Sequence, residues 1–216
     1  DGVWSDWTMS KSHADLENTV YVDRTAENGK TYRYTVRAQI GSTQYSAYVD
    51  GVEVIRLANV TNVSISNQND GLKLTWKAHT AAEKIGIYRS AYNADGTSNS
   101  WGPIYIFLDG DATEWVDTEA ENGVKYRYSV VAYTDGYTSA QKEHAKVFRL
   151  DRVNFTSVTQ ITTGITLTWE KNEAASKYFI YRYRRVDGVW SEQYRKTIIG
   201  ADVTTWNDTT VSNELF

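Results

Sequence analysis

Three observations on the sequence predict an all-β fold made of tandem sandwiches. First, apolar and polar residues alternate, as where Leu72, Leu74 and Trp76 are separated by Lys73 and Thr75. A period of two is typical of strands with one buried face. Second, Asn-Gly and Asp-Gly pairs, which suit positive backbone φ in tight turns between strands, recur along a chain that has only one proline. Third, the whole pattern repeats.

The repeat has a period of about 93 residues, which is typical of homologous modules in tandem. The segment "GLKLTW", which ends at Trp76, recurs as "GITLTW", which ends at Trp169, 93 positions later (169 minus 76). "ENGKTYRYTVRAQ" returns as "ENGVKYRYSVVAY", and "DGVWS" occurs both at Asp1 and at Asp187. We therefore predict a first, a second and a third module, which comprise residues 1–57, 58–150 and 151–216.

The second module contains seven predicted strands. In order, their landmarks are Val60 with Val63 and Ile65, residues 72–76, Ile85 with Ile87, "GPIYIFLD", "EWVD", residues 126–132, and "HAKVFRL". Seven short strands with turn signals between them predict an immunoglobulin-like β-sandwich. The first module carries only the late strands of this pattern and the third module only the early ones. The prediction is therefore one complete and two partial sandwiches.

These modules resemble a known family. One tryptophan on the second strand, no cysteine, and a tyrosine soon after a turn glycine resemble the fibronectin type III module. The phrases "GITLTWEKNEAASKYFIYR" and "NGKTYRYTVRA" resemble modules of secreted and wall-bound proteins of Gram-positive gut and rumen bacteria. The resemblance covers essentially the whole chain and implies an extracellular or cell-surface location. It says more about fold than about function, because one sandwich hosts many functions.

The repeated aromatic residues are predicted to form the structural core. Tyr32 and Tyr126 fit the tyrosine corner, in which the ring is buried and the hydroxyl bonds the backbone just upstream. Trp76 and Trp169 are predicted central core residues. Burying one such side chain is worth roughly 4–6 kcal/mol at ~25 cal/mol per Å².

The partial modules allow two interpretations. The chain is a piece of a longer array, or its incomplete modules complete each other between chains. In the second case, strands of one copy would add to an exposed sheet edge of the next, which leads to head-to-tail self-association and a filament.

No catalytic, cofactor or metal site is predicted. The familiar nucleophile, zinc-helix, phosphate-loop and dinucleotide motifs do not occur in the sequence. His13, His79 and His144 stand in polar stretches and are predicted to be solvated rather than ligands. Asp109 and Asp111 share a loop as calcium ligands often do, but the remaining ligand positions are missing, so ordinary turn residues are predicted.

Charge and hydropathy exclude two kinds of partner. The net charge is -4, and basic residues are interspersed with acidic ones, so the basic stripe that nucleic acids require is missing. No apolar run approaches the ~18 residues that span a bilayer. We therefore predict neither nucleic-acid binding nor membrane insertion.

The candidate binding face is the stripe Phe179, Tyr181 and Tyr183. If Tyr178 and Ile180 face inward, these three aromatics face outward with a period of two. Such a row can stack on sugar rings or anchor a partner protein, or it can be covered by a neighbouring module. Four more tryptophans lie near the "DGVW" hairpin and its counterpart, where they brace a loop, sit at a module junction or form a glycan platform: Trp4, Trp7, Trp101 and Trp190.

The leading functional prediction is a non-catalytic, extracellular array that acts as a spacer, scaffold or adhesive stalk of a bacterial surface or secreted protein. The pairs Arg56-Leu57 and Arg149-Leu150 run into the next module without a flexible linker, which predicts a semi-rigid rod. The alternative is a carbohydrate-binding accessory module of a secreted glycan-active enzyme. A structural protein of a phage or pilus is a third interpretation. The predicted partner is a protein or a glycan at the surface.

Overall fold

The structure, a computed structural model, describes residues 19–211. Within that range every regular element is a β-strand. The side chains that are not described there are those of residues 145, 186, 191–195 and 199. Each hydrogen-bonded sheet is built from strands of a single predicted module. The chain is therefore a tandem β-sandwich protein.

In the first module the described strands form two antiparallel ribbons. The strands are β1 Thr31–Tyr34, β2 Gln39–Ile40, β3 Gln44–Tyr45 and β4 Val52–Ile55. β1 pairs with β4, and β2 pairs with β3. Val36, which continues the inward-facing row of β1, is 82% exposed.

The second module is a closed two-layer sandwich. Its strands are β5 Ser64–Asn67, β6 Leu72–Thr75, β7 Lys84–Ala91, β8 Ile106–Asp109, β9 Glu114–Asp117, β10 Lys125–Thr134, β11 Tyr137–Thr138 and β12 Ala145–Phe148. One sheet has the order β5-β6-β9; the other has the order β11-β10-β7-β8, with β12 also paired to β10. Leu72, Leu74, Ile85, Ile87 and Tyr128 are fully buried between the layers. This is the arrangement that the period of two predicts, since alternate residues of each strand face the same layer.

All seven predicted strands of the second module overlap an observed strand, with two differences. The first predicted strand extends too far back, because Val60 is a buried loop residue and β5 begins at Ser64. The structure also adds β11, which pairs with the end of β10 across the turn Asp135-Gly136. Both turn residues have positive φ, 47° and 82°, as a tight hairpin requires.

The third module has two sheets that face each other. Its strands are β13 Phe155–Ile161, β14 Gly164–Trp169, β15 Lys177–Val186, β16 Val189–Ile199 and β17 Thr205–Asp208. β13-β14-β17 form one sheet, and the long hairpin of β15 and β16 forms the other. Trp169, Tyr178, Ile180 and Ile198 are the buried residues between them.

The prediction of a positive φ is wrong at three of the Asn-Gly and Asp-Gly pairs. Within residues 19–211 five of the eight glycines in such pairs have positive φ, but Gly51, Gly71 and Gly110 do not. Gly71 is required instead for close approach, because a Cβ there would lie 2.2 Å from the backbone oxygen of Asp117. Its counterpart in the third module, Gly164, would bring a Cβ to 1.9 Å from the oxygen of Asp208.

We expect Gly71→Ala to destabilise the second module by about 1–3 kcal/mol, because β9 must move to admit the methyl group. Chemical denaturation followed by tryptophan fluorescence measures this. The matched control is Gly102→Ala, since a Cβ at Gly102 meets open space. Equal stability of the two variants would show that the contact with Asp117 is not a constraint.

Candidate functional site

The aromatic stripe, Phe179, Tyr181 and Tyr183, lies on the outer face of β15. These side chains are 44%, 52% and 52% exposed, whereas Tyr178 and Ile180 face inward and are buried. The alternation follows from the strand geometry, because successive side chains point to opposite faces. Three flat side chains are thus presented in a row along one strand.

The corresponding row of the second module is covered. There, Trp101 packs edge-on against Tyr88 with ring centroids 6.3 Å apart, and the guanidinium of Arg127 lies 4.2 Å from the centroid of Trp101. Ile104 lies over Gly86 so closely that a Cβ on this glycine would be 3.0 Å from it. Trp101 therefore braces the segment that crosses this face, and the second module has no counterpart of the exposed aromatic stripe among its described residues.

A groove of about 640 Å³ opens beside β15. It lies between the two sheets of the third module, and its apolar walls include Val158, Ile165, Leu167, Ile180, Trp190 and Trp206. Within residues 19–211, β15 pairs with β16 only. In the second module the equivalent space beside β7 is filled by β10, with Val130 opposite Ile87.

Three of the four aromatic residues predicted as core are buried, and the fourth, Tyr32, is half-buried. Trp76 is buried, and its indole N–H donates to the carbonyl of Ala112 over 2.7 Å. Trp169 is also buried and packs edge-on against Tyr178, with ring centroids 5.4 Å apart. Tyr126 is buried, whereas Tyr32 is half-buried.

Tyr32 and Tyr126 each make the backbone contact of a tyrosine corner. The amide of Glu121 donates to the hydroxyl of Tyr126 over 3.0 Å. The amide of Glu27 donates to the hydroxyl of Tyr32 over 2.9 Å. Each bond joins two residues that are five positions apart in the chain. The repeated sequence therefore places the same contact in both modules.

A buried polar cluster in the second module was missed by the sequence analysis. Asp117, at the end of β9, is completely buried. The hydroxyl of Tyr128 donates to its Oδ2 over 2.6 Å, and Nε of Arg89 lies 3.1 Å from the same oxygen. Burial and the hydrogen bond to Asp117 raise the pKa of Tyr128. The recurrence of aspartate at Asp23, Asp117 and Asp208 was the available signal.

Parts of this cluster recur in the other modules. In the first module, the hydroxyl of Tyr34 donates to Oδ2 of Asp23 over 2.9 Å. In the third module, Nη1 of Arg182 lies 2.6 Å from Oδ2 of Asp208. The cluster is therefore part of the module's architecture, and its positions are structural.

Tyr34 gives the first module a testable pH dependence. Burial, and then the hydrogen bond to Asp23, raise the pKa of Tyr34 to about 12. A folded-state pKa above the ordinary value of about 10 means that this contribution is complete below pH ~10 and is lost as the pH rises through ~12. We expect the stability difference between the native chain and Tyr34→Phe to be constant below pH ~10 and to shrink above it. Thermal unfolding across this range measures it; a constant difference up to pH ~12 would refute it.

The prediction of solvated histidines is wrong for the two that are described. His79 is half-buried; its Nε2 lies 3.0 Å from the carbonyl of Ala58, and its Nδ1 accepts from the amide of Ala81 over 3.2 Å. His144 is half-buried near the carbonyl of Val130, and burial lowers its pKa. The carbonyl partners, Ala58 and Val130, lie 21 and 14 positions away in the chain, which the polar neighbours in sequence did not indicate. Trp4, Trp7 and His13 lie outside the described residues.

Residues 19–211 contain neither a candidate metal site nor a candidate membrane-spanning helix. In that range, no group of three or more histidine, aspartate or glutamate side chains is arranged to hold a metal ion, and this includes Asp109 and Asp111. Nor does the described range contain a helix long and apolar enough to cross a membrane.

Trp190, near the tip of the β15–β16 hairpin, is 65% exposed.

Comparisons with known proteins find similarity to part of a bacterial protein and distant similarity to solved structures. No family model matches the chain. A stretch of 96 residues, 44% of the chain, is 29% identical to Hemagglutinin A of Porphyromonas gingivalis, both in strain ATCC BAA-308 / W83 and in a second sequence from the species. This stretch spans only 4% of the length of that protein.

Two solved chicken structures resemble the chain at 14% sequence identity. The CNTN1 FN1-FN3 domains match with a TM-score of 0.33, covering 71% of this chain and 56% of that one. The interferon gamma receptor alpha chain matches with a TM-score of 0.37, covering 69% of this chain and 80% of that one.

Proposed function

We propose that this chain is a non-catalytic structural segment of a bacterial surface or secreted protein, in which fibronectin type III-like modules act as spacer, scaffold or adhesive stalk. The similarity to Hemagglutinin A supports a surface or secreted location. The matched stretch of 96 residues is about as long as one module. The proposal includes an extracellular location and no enzymatic activity.

The observation that carries this proposal is the direct passage from the second module into the third. Arg149 is buried at this point. Its Nη1 donates to the carbonyl of Gln68 over 3.1 Å, and its Nη2 lies 2.8 Å from Oδ1 of Asp151. One guanidinium thus contacts a loop of the second module and the first residue of the third. A joint without a flexible linker favours a load-bearing rod over independent domains.

Small-angle X-ray scattering of the whole chain tests the proposed rod. We expect a distance distribution with one extended maximum dimension that stays constant over a range of salt concentrations. A profile that only an ensemble of independently tumbling modules can fit would count against a spacer function.

A second candidate, ligand binding on the third module, is favoured by the aromatic stripe. Its three side chains are accessible, and Lys177 places its ammonium 5.5 Å from the ring centroid of Phe179. A row of exposed aromatics beside a cation suits the faces of sugar rings or an aromatic-rich protein surface. The chain would then be an adhesive module or a carbohydrate-binding accessory.

Glycan arrays separate ligand binding from a purely structural function. If the stripe binds glycans, the native chain gives signals that the triple variant Phe179→Ala, Tyr181→Ala, Tyr183→Ala loses. Phe148→Ala is the matched control, because Phe148 is a similarly exposed aromatic of the second module. No signal with any glycan, or equal signals from all three proteins, would exclude the stripe as a glycan site.

Self-association is a third candidate, favoured by the groove beside β15. In the second module, Tyr128 and Val130 of β10 stand opposite Arg89 and Ile87 of β7. By the repeat, Tyr34 and Val36 of another copy would stand opposite Arg182 and Ile180. This pairing would add a strand to the free edge of β15.

Sedimentation velocity at increasing concentration tests this association. We expect higher oligomers that Val36→Asp abolishes, because a charge would enter the apolar groove. Val20→Asp is the control, since Val20 is exposed outside the proposed contact. A native chain that remains monomeric throughout would refute self-association and leave the spacer function untouched.

A further inference from the structure

The turn that precedes the tyrosine corner makes a second set of contacts, directed at the following module. In the second module this turn is Asn122-Gly123. Oδ1 of Asn122 accepts from the amide of Asp151, the first residue of the third module, over 3.0 Å. Nδ2 of Asn122 donates to Oδ1 of Asn172 over 3.0 Å. One side-chain amide therefore bonds the third module twice.

The asparagine makes similar contacts between the first and second modules. Oδ1 of Asn28 accepts from the amide of Ala58, the first residue of the second module, over 2.8 Å. Nδ2 of Asn28 donates to Oγ1 of Thr80 over 3.2 Å, one position further along the repeat than the counterpart of Asn172. The two joints thus share the bond to the junction amide and differ in the residue that accepts from Nδ2.

Each following module holds its own first residue from the other side. In the third module, Nδ2 of Asn172 donates to the carbonyl of Asp151 over 2.9 Å, and Oδ1 of Asn172 accepts from the amide of Ala174 over 3.0 Å. In the second module, His79 makes both equivalent contacts, to Ala58 and Ala81. The junction residue is therefore clamped at its amide by the preceding module and at its carbonyl by its own module.

The turn glycines fit against an alanine of the next module. A Cβ on Gly29 would lie 2.6 Å from the methyl carbon of Ala81, and a Cβ on Gly123 would lie 2.9 Å from that of Ala174. Both glycines also have positive φ, 78° and 81°. Two constraints, one local and one between modules, thus require glycine at this place.

The surroundings of the second joint are polar. A groove of about 440 Å³ beside it is lined by Asn69, Asn154, Glu170 and Lys171, among others. Apolar burial contributes little free energy to contacts between polar surfaces of this kind. The angle between the modules is therefore set by hydrogen bonds, which are directional.

We propose that Asn28-Gly29 and Asn122-Gly123 are latches that hold each module at a fixed angle to the next. The surface that accepts a latch is defined by three features of the following module: a free junction amide, a hydrogen-bonding side chain at position 79 or 172, and a small residue at position 81 or 174. Any further module with these features would join at the same angle. This proposal deepens the structural function and does not depend on ligand binding.

Pulsed electron–electron double resonance on the full chain tests the latches. The chain has no cysteine, so single cysteines at exposed sites can be labelled without background. Ser42→Cys with Ala94→Cys reports the first joint, and Ala94→Cys with Thr163→Cys reports the second. We expect Asn122→Ala to broaden the distance distribution of the second joint about twofold, because unlatched modules move relative to each other. The first joint stays narrow in this variant, and Asn28→Ala gives the reverse pattern.

Two further variants keep the test decisive if an asparagine substitution also lowers stability. Ala174→Gln changes only the accepting surface and is expected to broaden the second joint alone. His79→Asn is expected to keep the first joint narrow, because Asn172 makes the same two contacts in the third module. Unchanged widths in Asn28→Ala, Asn122→Ala and Ala174→Gln would overturn the proposal, and so would a broad first joint in His79→Asn. The scattering profile of the native chain is a separate result, so the latch can fail while the spacer function stands.

Discussion

Replacing Asp117 with alanine is expected to lower the free energy of unfolding of the second module by about 3–5 kcal/mol. The carboxylate is completely buried and bonds both Tyr128 and Arg89. Without it, the guanidinium of Arg89 loses its counter-charge, and the hydroxyl of Tyr128 loses its acceptor. Hydrogen exchange of the β10 amides measures the effect, because it reports the second module separately from its neighbours.

The control for Asp117→Ala is Tyr128→Phe. This variant removes one hydroxyl and keeps the ion pair between Asp117 and Arg89, so the expected loss is smaller, about 1–2 kcal/mol. If Asp117→Ala cost no more than Tyr128→Phe, the buried charge pair would not be what makes this position sensitive.

Replacing Trp76 with alanine is the second large effect, with an expected loss of about 3–5 kcal/mol in the second module. Trp76 is only 5% exposed, and its indole N–H is bonded to Ala112. The substitution therefore leaves a cavity between the sheets and an unpaired carbonyl. Urea denaturation followed by circular dichroism measures the loss.

Trp190→Ala is the matched control for Trp76→Ala. Trp190 is largely exposed, and such a surface substitution changes stability by about 0.5 kcal/mol or less. Loss of ligand binding with retained stability in Trp76→Ala would contradict a core position and would indicate a binding residue.

The strands were predictable because their signal is local. Alternating apolar residues placed β6, β7 and β10 in the second module. β11 has two residues, which is too short for a period of two to show. The length of β5 was overestimated because Val60 is buried from a loop, where apolar character does not imply a strand.

The polar contacts were not predictable from the same signal. His79 stands among mostly polar neighbours and Asp117 ends the strand β9, and both find partners that the fold brings from elsewhere in the chain. Burial of a polar group depends on those distant partners, and local patterns do not report them. The histidines in polar stretches were therefore interpreted as solvated.

The repeated "ENG" is the instructive intermediate case. Its glycine was predicted to lie in a turn shortly before the corner tyrosine, and Gly29 and Gly123 do have the positive φ of such a turn. Asn28 and Asn122 make additional contacts with the following module, which no pattern within one module shows. The repeated sequence thus satisfies two constraints, the geometry of the turn and the contact with the following module. Only the turn could be predicted from the sequence.

Residual dipolar couplings of the full chain test most directly whether the repeated sequences build sandwiches joined at fixed angles. We expect the amides of β5–β12 and those of β13–β17 to fit one alignment tensor of the same magnitude and orientation. Tensors of clearly different magnitude for the two groups would show that the modules move independently, and they would contradict the claim.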